Sequence, residues 1–130
     1  VEELRAMGHE VADLGSEDPI YANVVIQVAE AVAAGTYDRG VVLCGTGIGA
    51  SIAANKVPGA YCALLTDCYQ AERASLSNNA NRIAFATQVT APKIARLMAR
   101  TCVSNEYVPG GRSEPKIQRI YEYAAEHERT

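Results

Sequence analysis

The sequence predicts an α/β fold, a three-layer parallel sheet with helices on both faces. Three observations carry this. Short β-branched runs alternate with stretches of helical spacing, and the connections between them are short. The run Val41-Val42-Leu43 is continuously apolar, as a strand buried on both sides must be. The length, 130 residues, fits one domain spanning 1–130.

In order, residues 1–9 read as the last turns of a helix already under way, followed by a strand over 10–14. A helix is predicted over 21–34, with Gly35 where a C-terminal cap belongs. A strand over 40–44 and a helix over 49–56 follow, then a strand over 60–65 and a helix over 68–77. The next strand is 82–86, and Thr90 stands as an N-cap signal before a helix over 92–103. A polar stretch, Pro109-Gly110-Gly111-Arg112-Ser113, leads to an amphipathic helix over 114–126 with Ile117, Ile120 and Tyr121 on one stripe. This arm, from about residue 112, packs on a neighbouring subunit or closes the same core. Four strands are few for such a sheet, and the chain opens in mid-helix. A βα half-unit of ~20 residues, first strand included, is therefore expected to be missing from this chain.

Hydrophobic residues make up 48% and charged ones 21%, a balance that excludes a disordered tail. The net charge is −3 with scattered basic residues, so no nucleic-acid partner is expected. No apolar run approaches the ~20 residues that span a bilayer, and no membrane partner is expected either. Cys44, Cys62, Cys68 and Cys102 form no C-x-x-C pair, and the histidines are only His9 and His127. No metal site or cofactor is expected, and reduced thiols suit a cytoplasmic protein.

Chemistry concentrates in Cys44-Gly45-Thr46-Gly47-Ile48-Gly49, between a buried strand and a helix. Ligands of open α/β sheets bind beyond the carboxyl ends of strands. Glycines let backbone N–H groups converge there, and a helix N-terminus adds positive potential, so an anion can bind. The same field favours a thiolate at the turn, which could act as base or nucleophile. A lone cysteine at a strand end is more simply a small buried hydrophobe; three alternating glycines directly after it turn the balance toward function. Known glycine loops do not fit. A Walker loop needs G-K-[ST], whereas Gly49 is followed by Ala50-Ser51. The dinucleotide fingerprint needs G-x-G-x-x-G, and Asp67 at a ribose-contact distance matches only half of it. A cysteine phosphatase would need an arginine where Ala50 stands.

These residues, with Ser51-Ile52-Ala53-Ala54-Asn55-Lys56, resemble the family of type B ribose-5-phosphate isomerases and galactose-6-phosphate isomerases. The resemblance continues through Val57-Pro58-Gly59, Tyr69–Arg73, Leu76–Asn81 and Gly110-Gly111-Arg112, and so covers nearly the whole chain. It implies a Rossmann-like sheet of five parallel strands and a homodimer or tetramer with active sites shared between subunits. It also implies metal-independent aldose–ketose isomerisation of a sugar phosphate through a cis-enediol. In that reading Cys44 is the base and Thr46 assists at a sugar hydroxyl or in ring opening. The backbone of Gly45, Gly47, Ile48 and Gly49 holds the enediolate oxygen, and Asn78 holds a substrate oxygen. Arg112 and Lys116 bind phosphate, and Tyr21 lies near the site; its plainer reading is a core tyrosine at a helix start.

Three departures from the family stand out. An Asp-His pair on its first strand would precede Val1. Ser77 occupies the place of a ring-opening histidine, and Gln88 that of a further phosphate-binding arginine. A serine is a poor general acid near neutral pH. A tetrose or tetrulose 4-phosphate cannot close a five-membered ring and needs no such acid. The segment 72–80 is similar to the erythrulose-4-phosphate isomerase branch. The alternative reading is a non-catalytic sugar-phosphate-binding subunit or module, and a redox role for Cys44 is a third.

Overall fold

The computed structural model describes residues 1–128. Its sheet has three parallel strands, β1 (Gly40–Cys44), β2 (Cys62–Leu64) and β3 (Arg82–Ala86), in the order β1-β3-β2. Six helices accompany it: α1 (Glu2–Ala6), α2 (Tyr21–Ala33), α3 (Ile48–Asn55), α4 (Cys68–Leu76), α5 (Pro92–Val103) and α6 (Glu114–His127).

Alternation along the strands divides the apolar side chains between two faces. Val42 and Ala84 meet Val25 and Ala29 of α2 and Ala50 and Ala54 of α3. Ile83 and Phe85 meet Ala71 and Ala74 of α4 and Met98, Ala99 and Cys102 of α5. The expected three layers follow. Small alanines at the contacts let helix backbones lie close to the sheet. At the amino end of β3 the buried Arg82 guanidinium donates to the Gly59 carbonyl at 3.0 Å and to that of Ala29, tying a loop and α2 to the sheet.

Three expectations need correction. Residues 10–14 form no strand. A ladder needs a neighbour; the Arg5 guanidinium donating to the Val11 carbonyl at 2.8 Å is instead the tie that holds the segment. The Gly40 N–H and the Cys44 carbonyl both bond toward β3, so Val41 and Leu43 turn their backbone groups to the other edge. Among the described residues no strand pairs there. A cavity of about 1340 Å³ runs along that edge, walled by Val25 and Val28 of α2, Ala95 and Ala99 of α5, and Val11 and Leu14. Second, β2 is three residues rather than six, because the Ala60 N–H closes a turn on Val57 and the Tyr61 N–H goes to the Asn81 side chain. Third, Ala91, not Thr90, is the N-cap of α5, since Pro92 forces the residue before it into extended backbone.

Candidate active site

The carboxyl end of β1 delivers Cys44 to the glycine loop, and three contacts explain the loop's composition. Gly47 is the N-cap of α3 at φ 75°, in the left-handed region. A Cβ there would also stand 2.4 Å from Leu64 Cδ1 and 3.2 Å from the Phe85 carbonyl carbon. At Gly49 a Cβ would fall 1.8 Å from the Tyr21 hydroxyl oxygen, so the Tyr21 ring lies directly on the start of α3. At Gly45 a Cβ would be 3.1 Å from the Gln88 amide carbon. Each glycine therefore makes room for a different neighbour.

The loop is polar toward the open side. The Gly47 N–H donates to Cys44 Sγ at 3.2 Å, a contact that strengthens when sulfur carries negative charge. The Ile48 N–H donates to Thr46 Oγ1 at 3.3 Å, which leaves the Thr46 hydroxyl proton free to donate outward. Among the described residues the backbone N–H groups of Thr46, Gly49 and Ala50 have no partner. Unpaired donors at a helix start, beside a thiol, form a seat for an oxyanion.

All four cysteines are unbridged, and their settings differ. Burial pushes the Cys62 thiol up to about 11. Cys102 is buried, with its sulfur 3.3 Å from the Ser75 hydroxyl, and Cys68 opens α4. Cys44 alone lies in the loop. Asp67 serves the fold: its carboxylate caps α4 by accepting the Gln70 N–H at 2.8 Å, while the Gln70 side chain accepts the Thr66 N–H.

The remaining expected residues stand elsewhere in this chain. Because α4 runs back against the strands, Ser77 and Asn78 follow its last turn at the amino end of the sheet, just before β3. Helix α6, which carries Lys116 and begins beside Arg112, is tied to the same end. There Tyr121 packs edge-on against Tyr61, with ring centroids 5.1 Å apart, and its hydroxyl accepts from the Asn79 amide at 3.2 Å. The length of β3, on the order of 15 Å, separates the two ends. One chain brings together Tyr21, Cys44, Gly45, Thr46, Gly47, Ile48 and Gly49, and does not bring Ser77, Asn78, Arg112 or Lys116 to them. The residue that the loop sequence did not reveal as a neighbour is Gln88. Its signal was its place just after β3, the strand beside β1, where sheet ligands bind.

Comparison with known proteins identifies relatives of this chain. The sequence profile of the ribose/galactose isomerase family matches residues 1–120. The chain is 42% identical over 118 residues to D-erythrulose-4-phosphate isomerase of Pectobacterium atrosepticum, covering 89% of this chain and 77% of that one. It is 36% identical over 123 residues to ribose-5-phosphate isomerase B of Escherichia coli, covering 92% and 82%. Among solved structures, ribose-5-phosphate isomerase B of Clostridium thermocellum superposes with a TM-score of 0.90 at 38% identity, covering 98% of this chain and 87% of that one.

Proposed function

This chain belongs to the ribose/galactose isomerase family, and from that premise we propose that it interconverts the aldose and ketose forms of a short phosphorylated sugar, with Cys44 as the base. The observation that carries this is the Cys44 thiol under the Gly47 N–H, ringed by the unpaired amides of Thr46, Gly49 and Ala50.

The chemistry follows from that seat. The Cys44 thiolate takes the proton from the carbon beside the carbonyl, and the electron pair moves onto the carbonyl oxygen. The free amides meet the developing charge, as an oxyanion hole does. A proton passes between the two oxygens, and the thiol, whose proton exchanges with solvent, delivers a proton to the former carbonyl carbon. One hydrogen has then moved to the next carbon, with no oxidant or reductant required. The Thr46 hydroxyl, with its own lone pair engaged by Ile48, is a donor to a sugar oxygen.

Asn78, Arg112 and Lys116 hold the substrate in this reading, yet they lie at the other end of the sheet. Two copies arranged with the Cys44 end of one against the Asn78 end of the other would bring the sets together. A homodimer is therefore the smallest complete enzyme, and it would carry two composite sites. Ser77 offers no acid to open a furanose ring, which favours an open-chain tetrulose 4-phosphate over ribose 5-phosphate. A substrate panel tests the assignment. Purified protein is expected to turn over D-erythrulose 4-phosphate at least about tenfold more efficiently than ribose 5-phosphate, with Cys44→Ser losing both activities. Equal efficiency on the two sugars would refute the ring-opening argument. Binding without turnover would make the chain a sugar-phosphate-binding module instead.

A further inference from the structure

Among the described residues one non-glycine takes a left-handed backbone: Asn79, at φ 49°. It makes the reversal between α4 and β3. Before it, the Ser77 and Asn78 N–H groups both donate to the Arg73 carbonyl, at 2.8 and 3.2 Å. After it, the Ala80 N–H reaches back to the Ala74 carbonyl at 2.8 Å. Asparagine tolerates this conformation better than most residues, as the ends of helices show. Here its side chain is also held, because Asn79 Nδ2 donates to the Tyr121 hydroxyl oxygen at 3.2 Å, across 42 residues of chain. Tyr121 belongs to α6, whose one buried residue is Ile117, a turn earlier on the same face. The Tyr121 ring is fixed in turn against Tyr61. The Tyr61 N–H goes to the Asn81 side chain and its carbonyl accepts the Asn81 N–H, both at 3.0 Å. The turn that carries Asn78 is thus tied to α4 before Asn79, to β2 after it, and to α6 at Asn79 itself.

We propose that Tyr121 is a positioning residue for substrate binding: its hydroxyl, through the Asn79 side chain, holds the turn that presents Asn78. This rests on the isomerase reading, in which Asn78 takes a substrate oxygen. The Asn78 side chain is exposed, so its place is set by the backbone that carries it. The hydroxyl and the ring of Tyr121 have separate tasks. The ring packs on Tyr61 and serves the fold, whereas the hydroxyl meets only the turn. Tyr123, two residues on, faces elsewhere and stacks on His127 with ring centroids 4.0 Å apart.

The test compares the wild type with Tyr121→Phe, Asn79→Gly, their double variant, Asn78→Ala with and without Tyr121→Phe, and Tyr123→Phe. D-erythrulose 4-phosphate is the probe in two readouts. Steady-state kinetics give KM and kcat. Protection of Cys44 from iodoacetamide, followed by mass spectrometry of its peptide, gives binding whether or not turnover occurs. Tyr121→Phe keeps the ring and is expected to raise KM and the half-protecting concentration at least twofold and at most about tenfold, the range of one uncharged hydrogen bond. Its kcat should change less, because Asn78 holds the substrate alike before and during reaction. Asn79→Gly keeps the left-handed backbone accessible but loses the tether. It should weaken binding at least as much, and adding Tyr121→Phe to it should cost little more. In the Asn78→Ala background Tyr121→Phe should shift binding less than twofold. Tyr123→Phe should leave both readouts unchanged.

A Tyr121→Phe effect below twofold in both readouts overturns the proposal and leaves the isomerase reading standing, even where the variant is less stable. An effect that persists in full without the Asn78 side chain also overturns it, because Tyr121 would then act by another route. So does a shift that vanishes as protein concentration is raised, since the hydroxyl would then serve assembly. A wild type that is protected but does not turn over defeats the isomerase reading alone, and the half-protecting concentrations then decide the proposal. One that is neither protected nor active defeats both.

Discussion

Gly47→Ala is the substitution whose effect can be worked from the structure most fully. An alanine at φ 75° sits in a backbone region that a Cβ disfavours, by roughly 1–2 kcal/mol. Its Cβ would also meet Leu64 Cδ1 at 2.4 Å, and the Phe85 carbonyl carbon and Ala86 nitrogen at 3.2 and 3.3 Å. Leu64 can turn aside only within the core packed around α2 and α3. The β3 backbone is held on both sides by ladders to β1 and β2. Overpacking of that kind adds roughly 1–3 kcal/mol, for a total of about 2–5 kcal/mol against a domain stability of roughly 5–15. With a urea slope of about 1–3 kcal/mol/M, the unfolding midpoint should fall on the order of 1 M or more. Gly45→Ala and Gly49→Ala provide the contrast, because neither glycine has positive φ and each faces a movable side chain, Gln88 or Tyr21. A Gly47→Ala protein that unfolds at the wild-type midpoint, or one no less stable than Gly45→Ala, would refute the reasoning.

Two further predictions concern the other end of the molecule. Mixing a Cys44→Ala copy with an Asn78→Ala/Arg112→Ala copy, after unfolding and joint refolding, should restore about one quarter of wild-type activity, since half the two-fold dimers would hold one intact composite site of two. No recovery, with dimers present, would place each site within one chain. The second concerns the Tyr107 hydroxyl, which donates to the Glu114 carboxylate at the start of α6. This bond, more than any other cause, holds Glu114 below its ordinary value and pushes Tyr107 up to about 12. The lowered carboxylate supports the arm above the ordinary carboxylate range and loses that support as pH falls through its folded value. The raised phenol supports it below the ordinary tyrosine value and loses it as pH rises toward about 12. NMR shifts of the Gly110 and Glu114 amides should report both transitions, and Tyr107→Phe should remove the alkaline one and move the acidic one up toward the ordinary carboxylate range; an unmoved acidic transition in that variant would contradict the coupling.

Much of this was legible because local pattern and tertiary demand agree. The run Ile83–Ala86 is apolar because β3 is buried along its whole length, whereas β1, expected to be buried on both sides, leaves Leu43 exposed; α5 begins at Pro92, whose missing N–H is harmless at a first helical position. Residues 10–14 misled because their alternation has the form of a strand, while strand formation depends on a neighbour that sequence spacing does not show. The loop chemistry was local, six consecutive residues, and so was readable. The separation of the other candidate residues from the loop was not legible in local spacing, and only the family resemblance implied it. Ser77 and Asn78 follow the motif closely in a helix–strand count, yet the reversal of α4 carries them to the opposite end of the sheet. Gln88 was singled out through the resemblance alone: 44 residues separate it from Cys44 in the chain, and the β1–β3 pairing brings it to Gly45.

The most direct test of the central claim is solvent exchange at the reacting carbon. Wild-type protein incubated with D-erythrulose 4-phosphate in D₂O should place deuterium on the carbon beside the carbonyl, read by NMR or mass spectrometry, as product forms. Cys44→Ser, shown to be folded, should leave the substrate unlabelled. Turnover or labelling that survives the loss of the Cys44 thiol in the folded variant would contradict Cys44 as the base.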